Sequence, residues 1–241
     1  MGKVALVTGG GRGIGAATCR LLAAQGYAVC VNYLRNESAA AALARELGAG
    51  AIAVAADVAD EAAVLRLFDT VERELGPLDL LVNNAGIVDR AMPLRDMDYA
   101  RMRRIFSTNV LGVMLCAREA ARRMRGRGGA IVNVSTGFVK SGAPGMMVDY
   151  AASKGAVEVF TAGLARELAA EGIRVNAVRP GVIDTGIHAD TGDEARAKKA
   201  EHFVPMKRAG RAEEVAQAIV WLASDAASYT TGAVLDVSGG I

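Results

Sequence analysis

The chain has 241 residues, 52% of them hydrophobic, and its basic and acidic side chains leave a net charge of +2. That length fits one domain with a sizeable core, spanning 1–241. The near-neutral charge excludes a general attraction to nucleic acid or to an anionic membrane. No apolar stretch approaches the roughly 20 residues of a transmembrane helix. No signal-peptide pattern precedes the first apolar run, so we expect a cytoplasmic protein.

Short apolar runs alternate with longer segments of helical periodicity, a pattern typical of βαβ units around a parallel sheet. The predicted strands are 3–8, 27–33, 50–55, 78–82, 129–135, 173–178 and 232–237. The predicted helices are 13–25, 37–47, 60–75, 98–126, 149–171 and 211–224. The strands show little polar alternation, so we expect helices on both faces of the sheet. The weakly periodic segment 184–209 is predicted to be a mobile cover over the site.

A glycine-rich turn, T-G-G-G-R-G-I-G at 8–15, follows the first predicted strand and leads into a helix that begins near Ile14. Glycines in such a turn let backbone N–H groups approach a pyrophosphate, which the helix N-terminus then stabilises. The glycines that carry the pattern are Gly9, Gly11, Gly13 and Gly15. Because the turn has the required strand before it and helix after it, we predict that it binds a dinucleotide.

The end of the second strand indicates which dinucleotide is bound. NAD-selective folds place an acidic residue there to bind the adenosine ribose, whereas this chain has Asn32. Arg12 and Arg35 lie nearby in the sequence, and guanidinium groups bind phosphate well. We therefore predict NADP(H), with NAD(H) as the second choice, and include all three residues in the cofactor site.

Tyr150 and Lys154 are four residues apart in Y-A-A-S-K, a spacing that puts both side chains on one face of a helix. A lysine cation beside a phenol favours the phenolate, so the pKa of Tyr150 is predicted to move toward neutrality. A phenol with such a pKa serves as a general acid and base. By itself the pattern also fits two ordinary helix residues.

Further motifs occur in a fixed order: Asp57-Val58 after the third strand, N-N-A-G at 83–86, Asn109 in a helix, and R-P-G-V-I-D-T at 179–185. With the glycine turn and Y-A-A-S-K, they resemble the short-chain dehydrogenase/reductase family over essentially the whole chain. Within it the chain looks similar to 3-oxoacyl carrier-protein reductases and glucose dehydrogenases. The resemblance implies one Rossmann-like α/β domain, a doubly wound, seven-stranded parallel sheet in the order 3-2-1-4-5-6-7, and a homotetramer.

The resemblance also implies roles for individual residues. Tyr150 would donate the proton to a carbonyl, Lys154 would lower its pKa and bind the nicotinamide ribose, and Asn109 would hold a relay water. The remaining implied cofactor contacts are Asp57, Val58, Asn84, Ala85, Gly86, Pro180, Gly181, Ile183 and Thr185.

The chain departs from the family at the catalytic serine, which usually ends a Ser-Ser pair after the fifth strand. Here the pair reads Ser135-Thr136. Counting back from Tyr150 places Thr136 at the catalytic position, and threonine keeps a hydroxyl donor while adding a methyl group. Ser135 stays open as the rival, because loop lengths vary by a residue in this family.

These residues together predict an NADP(H)-dependent oxidoreductase that interconverts a carbonyl and a secondary alcohol. The alternatives are a 3-oxoacyl-[acyl-carrier-protein] reductase, a catalytically idle nucleotide-binding sensor or scaffold, and an epimerase or dehydratase that reuses its cofactor. Met146 and Met147 are candidates for an apolar substrate wall. We predict a small-molecule substrate, no nucleic-acid or membrane partner, and no metal, because the chain has only two histidines and no CxxC pair.

Overall fold

A seven-stranded parallel sheet runs through the computed structural model, which describes residues 2–48, 50–186, 191–193, 195 and 197–241. Its strands are β1 (Val4–Val7), β2 (Ala28–Tyr33), β3 (Ala51–Ala55), β4 (Leu80–Asn83), β5 (Gly129–Val134), β6 (Ile173–Pro180) and β7 (Val234–Val237). The order β3-β2-β1-β4-β5-β6-β7 confirms the predicted topology. All the predicted strands are present, with ends that move by one or two residues.

Helices fill the connections between the strands. They are α1 (Gly13–Ala24), α2 (Glu37–Leu47), α3 (Glu61–Glu74), α4 (Tyr99–Phe106), α5 (Gly112–Met124), α6 (Phe138–Ser141), α7 (Val148–Leu168), α8 (Ala200–Phe203) and α9 (Ala212–Ala223). A π turn, Ser107–Leu111, joins α4 to α5 within the predicted helix 98–126. The sequence did not predict α6 and α8, because four residues are too few to show a helical period.

Two apolar layers cover the faces of the sheet, as predicted. On one face, residues of α1 and α9 such as Leu22 and Ile219 pack against Val7. On the other, residues of α3 and α5 such as Phe68 and Ala120 pack against Leu6. Adjacent strand residues therefore point into different layers, as the pleat of a strand requires.

The strand order places a crevice at the carboxyl ends of β1 and β4. β1 lies between β2 and β4, so the chain leaves the sheet in different directions after these neighbouring strands. Ligands of open α/β sheets bind at this kind of switch point. The glycine turn (residues 8–15) follows β1, and N-N-A-G begins at the last residue of β4.

The segment 184–209 is described only in part. Residues 187–190, 194 and 196, on which the prediction of a mobile cover also falls, lie outside the described residues. Within the described part, α8 contributes Ala200 to a small apolar cluster with Val182 and Val204. A parallel bridge between Ile183 and Gly210 joins the two ends of the segment.

Candidate active site

The glycine turn is packed so closely that side chains are excluded from part of it. Gly9 and Gly13 have φ angles of 61° and 52°, in the left-handed region that glycine adopts without strain. A Cβ atom at Gly15 would lie 2.4 Å from the Gly9 carbonyl oxygen and 2.6 Å from Asn84 Nδ2. No acidic residue stands in the first turn of α1. The helix N-terminus thus keeps its favourable field for an anionic ligand.

Hydrogen bonds from the end of β4 hold the shape of this turn. Asn84 Nδ2 donates to the carbonyl oxygens of Thr8 and Gly9, both at 3.0 Å. The backbone N–H groups of Asn84 and Ala85 donate to Thr8 Oγ1, also at 3.0 Å. The side-chain amide of Asn84 is therefore committed to the turn. The role of Thr8 was missed, although its place at the head of the glycine motif was a usable signal.

Asn32, which stands where NAD-selective folds have an acid, is held by hydrogen bonds to the backbone. Its side chain is buried; Oδ1 accepts from Gly9 N at 3.3 Å, while Nδ2 donates to the carbonyl oxygens of Val54 at 3.2 Å and Ala56 at 3.1 Å. Alternation along β2 places it on the same face as Cys30, under the turn. Asn32 therefore links β2, the end of β3 and the glycine turn.

The two arginines predicted to bind phosphate are both exposed. Arg12 precedes α1 in an extended conformation. A Cβ atom at Gly186 would lie 4.0 Å from Arg12 Nη1, so this guanidinium is directed toward the segment that follows β6. Arg35 lies in the short connection between β2, which ends at Tyr33, and α2.

Asp57 and Val58 lie at the same edge of the sheet, after β3. Asp57 Oδ1 accepts from the backbone of Ala59 at 2.9 Å, whereas the cap of α3 is Asp60. Val58 is buried against the start of α5, where a Cβ atom at Gly112 would lie 2.8 Å from Val58 Cγ2. Val58 thus connects the end of β3 to the start of α5 at the carboxyl edge of the sheet.

Three side chains, which we name the proton-transfer group, come together at the far end of the crevice: Thr136, Tyr150 and Lys154. Tyr150 and Thr136 are each 8% exposed, and the Thr136 side chain lies close enough to the phenol to lower the pKa of Tyr150. Lys154 Nζ donates to the Val134 carbonyl oxygen at 2.7 Å. A Cβ atom at Gly86 would lie 3.2 Å from that Nζ, so the N-N-A-G segment reaches from the glycine turn to the proton-transfer group.

Burial dominates the ionisation of this group. It raises the pKa of Tyr150 to about 12, against the lowering effect of the Thr136 hydrogen bond. It also lowers the pKa of Lys154 to about 8. The sequence predicted a tyrosine pKa pulled toward neutrality by the lysine. In this structure the loss of solvation opposes both charged forms, so that expectation is not met.

Asn109 lies in the π turn, a rare helical irregularity that is frequent at functional sites. Its Oδ1 accepts from Ile87 N at 2.8 Å, and its Nδ2 donates to Ile87 O at 2.9 Å and to Ser153 Oγ at 3.1 Å. Ser153 Oγ in turn donates to the Tyr150 carbonyl oxygen at 2.7 Å. Asn109 thereby joins α7 to the loop after β4. The sequence reasoning missed Ser153, although it lies within Y-A-A-S-K.

The structure separates the two candidate hydroxyls after β5. Ser135 Oγ donates to Glu158 Oε1 at 2.5 Å, and Glu158 also accepts two hydrogen bonds from Arg179. Thr136 contacts Tyr150 instead. Since Glu158 and Tyr150 are about two helical turns apart on α7, the Ser135 hydroxyl is directed away from the phenol, and the geometry favours Thr136.

The end of β6 and the residues after it contact both the strand end that carries Thr136 and the glycine turn. Pro180 O accepts from Gly137 N at 2.7 Å, next to Thr136, and Gly181 N donates to Val237 O at 3.0 Å. A Cβ atom at Gly13 would lie 3.4 Å from Thr185 Cγ2, which brings this segment back to the glycine turn. Ile183 is buried between these contacts.

The crevice fits a dinucleotide on the chemistry of its donors. It offers a turn of closely packed glycines and a helix N-terminus at one end, and a lysine ammonium with donors beyond its bond to Val134 at the other. Among the described residues, no group of three or more His, Cys, Asp or Glu side chains is placed to hold a metal ion. In the same part of the chain, no helix has the length and apolar character to cross a membrane.

Comparison with known proteins agrees with this geometry. A family model described as enoyl-(acyl carrier protein) reductase matches residues 9–241. An uncharacterized oxidoreductase of Escherichia coli (strain K12), YgfF, is 50% identical over 244 residues, covering 98% of this chain and 99% of that protein. The cis-4-hydroxycyclohexanecarboxylate dehydrogenase of Sinomonas cyclohexanicum is 45% identical over 241 residues, covering 99% and 96%.

Solved structures share the fold over nearly the whole chain. A blue fluorescent protein from a metagenomic library, in complex with NADPH, has a TM-score of 0.91 and 38% identity, covering 99% of this chain and 97% of that one. A 3-ketoacyl-(acyl-carrier-protein) reductase from Brucella melitensis, complexed with NADH, has a TM-score of 0.93 and 34% identity, covering 99% and 98%. These likenesses support a nicotinamide cofactor. With the match to residues 9–241, they show that the chain belongs to the short-chain dehydrogenase/reductase family of oxidoreductases.

Proposed function

We propose that this protein is an NADP(H)-dependent oxidoreductase that interconverts a ketone and a secondary alcohol, with Tyr150 as proton donor and acceptor. The proposal is carried by one observation. Thr136, Tyr150 and Lys154 are buried together at the end of a crevice that begins at the glycine turn. A dinucleotide anchored at the turn would therefore present its other end to the phenol.

In the direction of reduction, Tyr150 and Thr136 donate hydrogen bonds to the carbonyl oxygen, and Tyr150 then transfers its proton to that oxygen. The oxygen gains charge as the reaction proceeds, so these donors stabilise the transition state more than the ground state. The nicotinamide supplies or accepts the hydride. The low exposure of both hydroxyls keeps bulk water from competing for the same hydrogen bonds.

Lys154 acts on the phenol through its charge. One of its three N–H donors is used by the Val134 carbonyl oxygen. The others are available to ribose hydroxyls of a cofactor and, through them, to the phenol. Asn109 holds the loop at Ile87 against α7 and is proposed to bind the relay water that returns protons to Lys154.

The preference for NADP(H) rests on Arg35 and on the lack of an acid at the end of β2. Relatives of known structure hold NADPH or NADH. The preference between the two cofactors is therefore argued from the residues of this chain. We expect Arg35→Ala to raise KM for NADPH roughly 10- to 100-fold, because a hydrogen bond to a charged group contributes about 1.5–3 kcal/mol. KM for NADH should be unchanged, and Arg45→Ala, an exposed arginine on α2, is the matched control. A wild-type preference for NADH would refute the assignment.

The substrate is proposed to be a small molecule with an apolar part. Ala143, Met147 and Tyr150 form a buried apolar cluster, with Met146 and Val88 packed against it. This cluster agrees with the predicted methionine wall. A 3-oxoacyl-[acyl-carrier-protein] reductase is the second candidate, favoured by the likeness to the Brucella melitensis protein, while the 45% identical dehydrogenase acts on a cyclic hydroxy acid.

The test is absorbance of the reduced nicotinamide with a panel of ketones, acyl thioesters, cyclic hydroxy acids and sugars. We expect turnover of at least one class by the wild-type protein, and turnover at least about 100-fold lower by Tyr150→Phe. Cofactor binding without turnover across the panel would instead favour an idle sensor or scaffold. Turnover without net change in absorbance would favour an epimerase or dehydratase.

The assembly is proposed to be a homotetramer, as the family resemblance implies. Large apolar side chains are exposed on several helices, among them Phe106 on α4, Leu111 in the π turn and Val159 on α7. Light scattering coupled to gel filtration checks this, and a monomer at micromolar concentration would contradict it. Organisation as a single domain, cytoplasmic location and the absence of a nucleic-acid partner stay predictions.

A further inference from the structure

A buried ion pair joins α4 to the first turn of α7, beside the proton-transfer group. Arg101 Nε donates to Asp149 Oδ2 at 2.7 Å, and Arg101 Nη2 donates to Asp149 Oδ1 at 3.3 Å. Their side chains are 5% and 2% exposed. Asp149 precedes Tyr150, and its Oδ1 also accepts from the backbone N–H of Tyr150 at 2.9 Å. The two-pronged contact restrains orientation as well as distance.

The same arginine holds the loop 87–92 that follows β4. Arg101 Nη1 donates to the Arg90 carbonyl oxygen at 2.6 Å. The backbone N–H groups of the next two residues donate hydrogen bonds to two other segments of the chain. Ala91 N donates to Thr191 O at 3.2 Å, and Met92 N donates to Met146 O at 2.8 Å. One guanidinium thus connects the start of α7 with a loop that is itself bonded to Met146 and Thr191.

Stability alone is a weak reason for such a pair. Burying two charges has a large desolvation penalty, and apolar replacements of a buried pair are often as stable or more stable. Losing one partner is harmful, because the other charge is left buried and uncompensated. The pair contacts the backbone of Tyr150 and the loop at Arg90. The relative position of these two parts determines the geometry of the site.

We infer that Arg101 and Asp149 are positioning residues, which fix Tyr150 and the loop 87–92 relative to each other. The inference rests on the proposed function of Tyr150. Catalysis depends steeply on alignment, and a displacement of about 1 Å can lower a rate about 100-fold. The pair thereby acts on the reaction without touching the substrate.

A double-variant cycle separates positioning from stability. Arg101→Met and Asp149→Asn each leave one buried charge, so each should lower the melting temperature and reduce kcat about tenfold or more. The double variant removes both charges, and asparagine keeps an oxygen for Tyr150 N. We expect it to recover most of the melting temperature while kcat stays low and the dissociation constant of the dinucleotide stays within about twofold. Recovery of kcat together with the melting temperature would overturn the inference.

Glu119→Gln is the matched control. Glu119 has a side chain that is 2% exposed and accepts from Arg122 at 2.8 Å and Arg123 at 2.6 Å, on α5 and away from the crevice. The Glu119→Gln protein should have a lower melting temperature, as the single variants do, and an unchanged kcat. A loss of kcat in this control equal to that in Arg101→Met would show that destabilisation alone explains the effect.

Amide hydrogen exchange tests the pair without any turnover. The N–H groups of Ala91 and Met92 should exchange several-fold faster in Arg101→Met and in the double variant, and at the wild-type rate in Glu119→Gln. If the wild-type protein reduces no carbonyl, the proposed function fails while this measurement still decides the role of the pair. Unchanged protection at 91 and 92 in both Arg101 variants would overturn it.

Discussion

At the glycine turn the binding surface is made of backbone, whereas at the proton-transfer group it is made of side chains. A Cβ atom at Gly15 would collide with the Gly9 carbonyl oxygen, and the nearby amide of Asn84 is used up in holding the turn. At the other end, Tyr150 and Lys154 are buried, and Lys154 Nζ donates to the Val134 carbonyl oxygen. The first region is therefore damaged by adding atoms and the second by removing them.

The largest expected effect is at the phenol. Tyr150→Phe removes only the hydroxyl, so we expect kcat to fall about 100- to 10,000-fold, the usual contribution of general acid–base catalysis. Cofactor affinity should stay within about twofold, since the glycine turn is untouched. Steady-state kinetics and fluorescence titration of NADPH measure the two quantities. A kcat within threefold of wild type, roughly, would contradict the proposed role of Tyr150.

The next largest expected effect is the dependence of kcat/KM on pH. Burial raises the pKa of Tyr150 to about 12, so below that value the phenolate fraction grows about tenfold per pH unit. Alcohol oxidation needs the phenolate as base, and kcat/KM for oxidation should rise with pH between about 7 and 9. Carbonyl reduction needs the phenol and should not rise. Since burial lowers the pKa of Lys154 to about 8, the rise should weaken as that cation is lost. Equal pH profiles in the two directions would refute this account.

The hydroxyl after β5 should have a smaller effect. Thr136→Ala removes a donor to the reacting oxygen and to Tyr150, so we expect kcat to fall about tenfold or more, with Thr136→Ser close to wild type. Ser135→Ala loses the bond to Glu158 and should affect stability more than kcat. If only the Ser135 change lowered kcat, the assignment of Thr136 would be wrong.

The smallest effects are expected from alanine substitutions at two glycines. Gly15→Ala adds a Cβ atom 2.4 Å from a carbonyl oxygen, so it should destabilise the fold by about 1–3 kcal/mol and weaken dinucleotide binding. Gly163→Ala on α7 meets no atom within 4 Å and should stabilise the fold by about 0.5–1 kcal/mol. Thermal melts with and without NADPH measure both. A Gly15→Ala protein as stable as Gly163→Ala would remove the distinction between the two regions.

The sheet and the pairing of Tyr150 with Lys154 could be read from the sequence because both depend on local patterns. Apolar runs and helical periods report which faces are buried, and a spacing of four residues on a helix sets two side chains side by side. The π turn at Asn109 joins α4 to α5 without a break, so the two helices together still match the predicted helix 98–126. The strand order came from the family resemblance and was confirmed.

Other features depend on segments that are distant in the chain. Asn32 points under the glycine turn because β3 supplies acceptors to its amide, a partner 22 to 24 residues away. Arg101 finds Asp149 across 48 residues of sequence. A local sequence pattern does not reveal such a contact, because each partner looks like an ordinary polar residue of its own helix or strand.

By itself, the sequence determined the strands, the longer helices, the glycine turn and the helix that carries Tyr150 and Lys154. Only the tertiary structure decided that Asn32 supports the turn, that Thr136 rather than Ser135 contacts the phenol, and that burial raises the pKa of Tyr150. The physical reason is that backbone preferences and apolar periods act over a few residues. Solvation and side-chain orientation instead depend on which distant elements pack around a group.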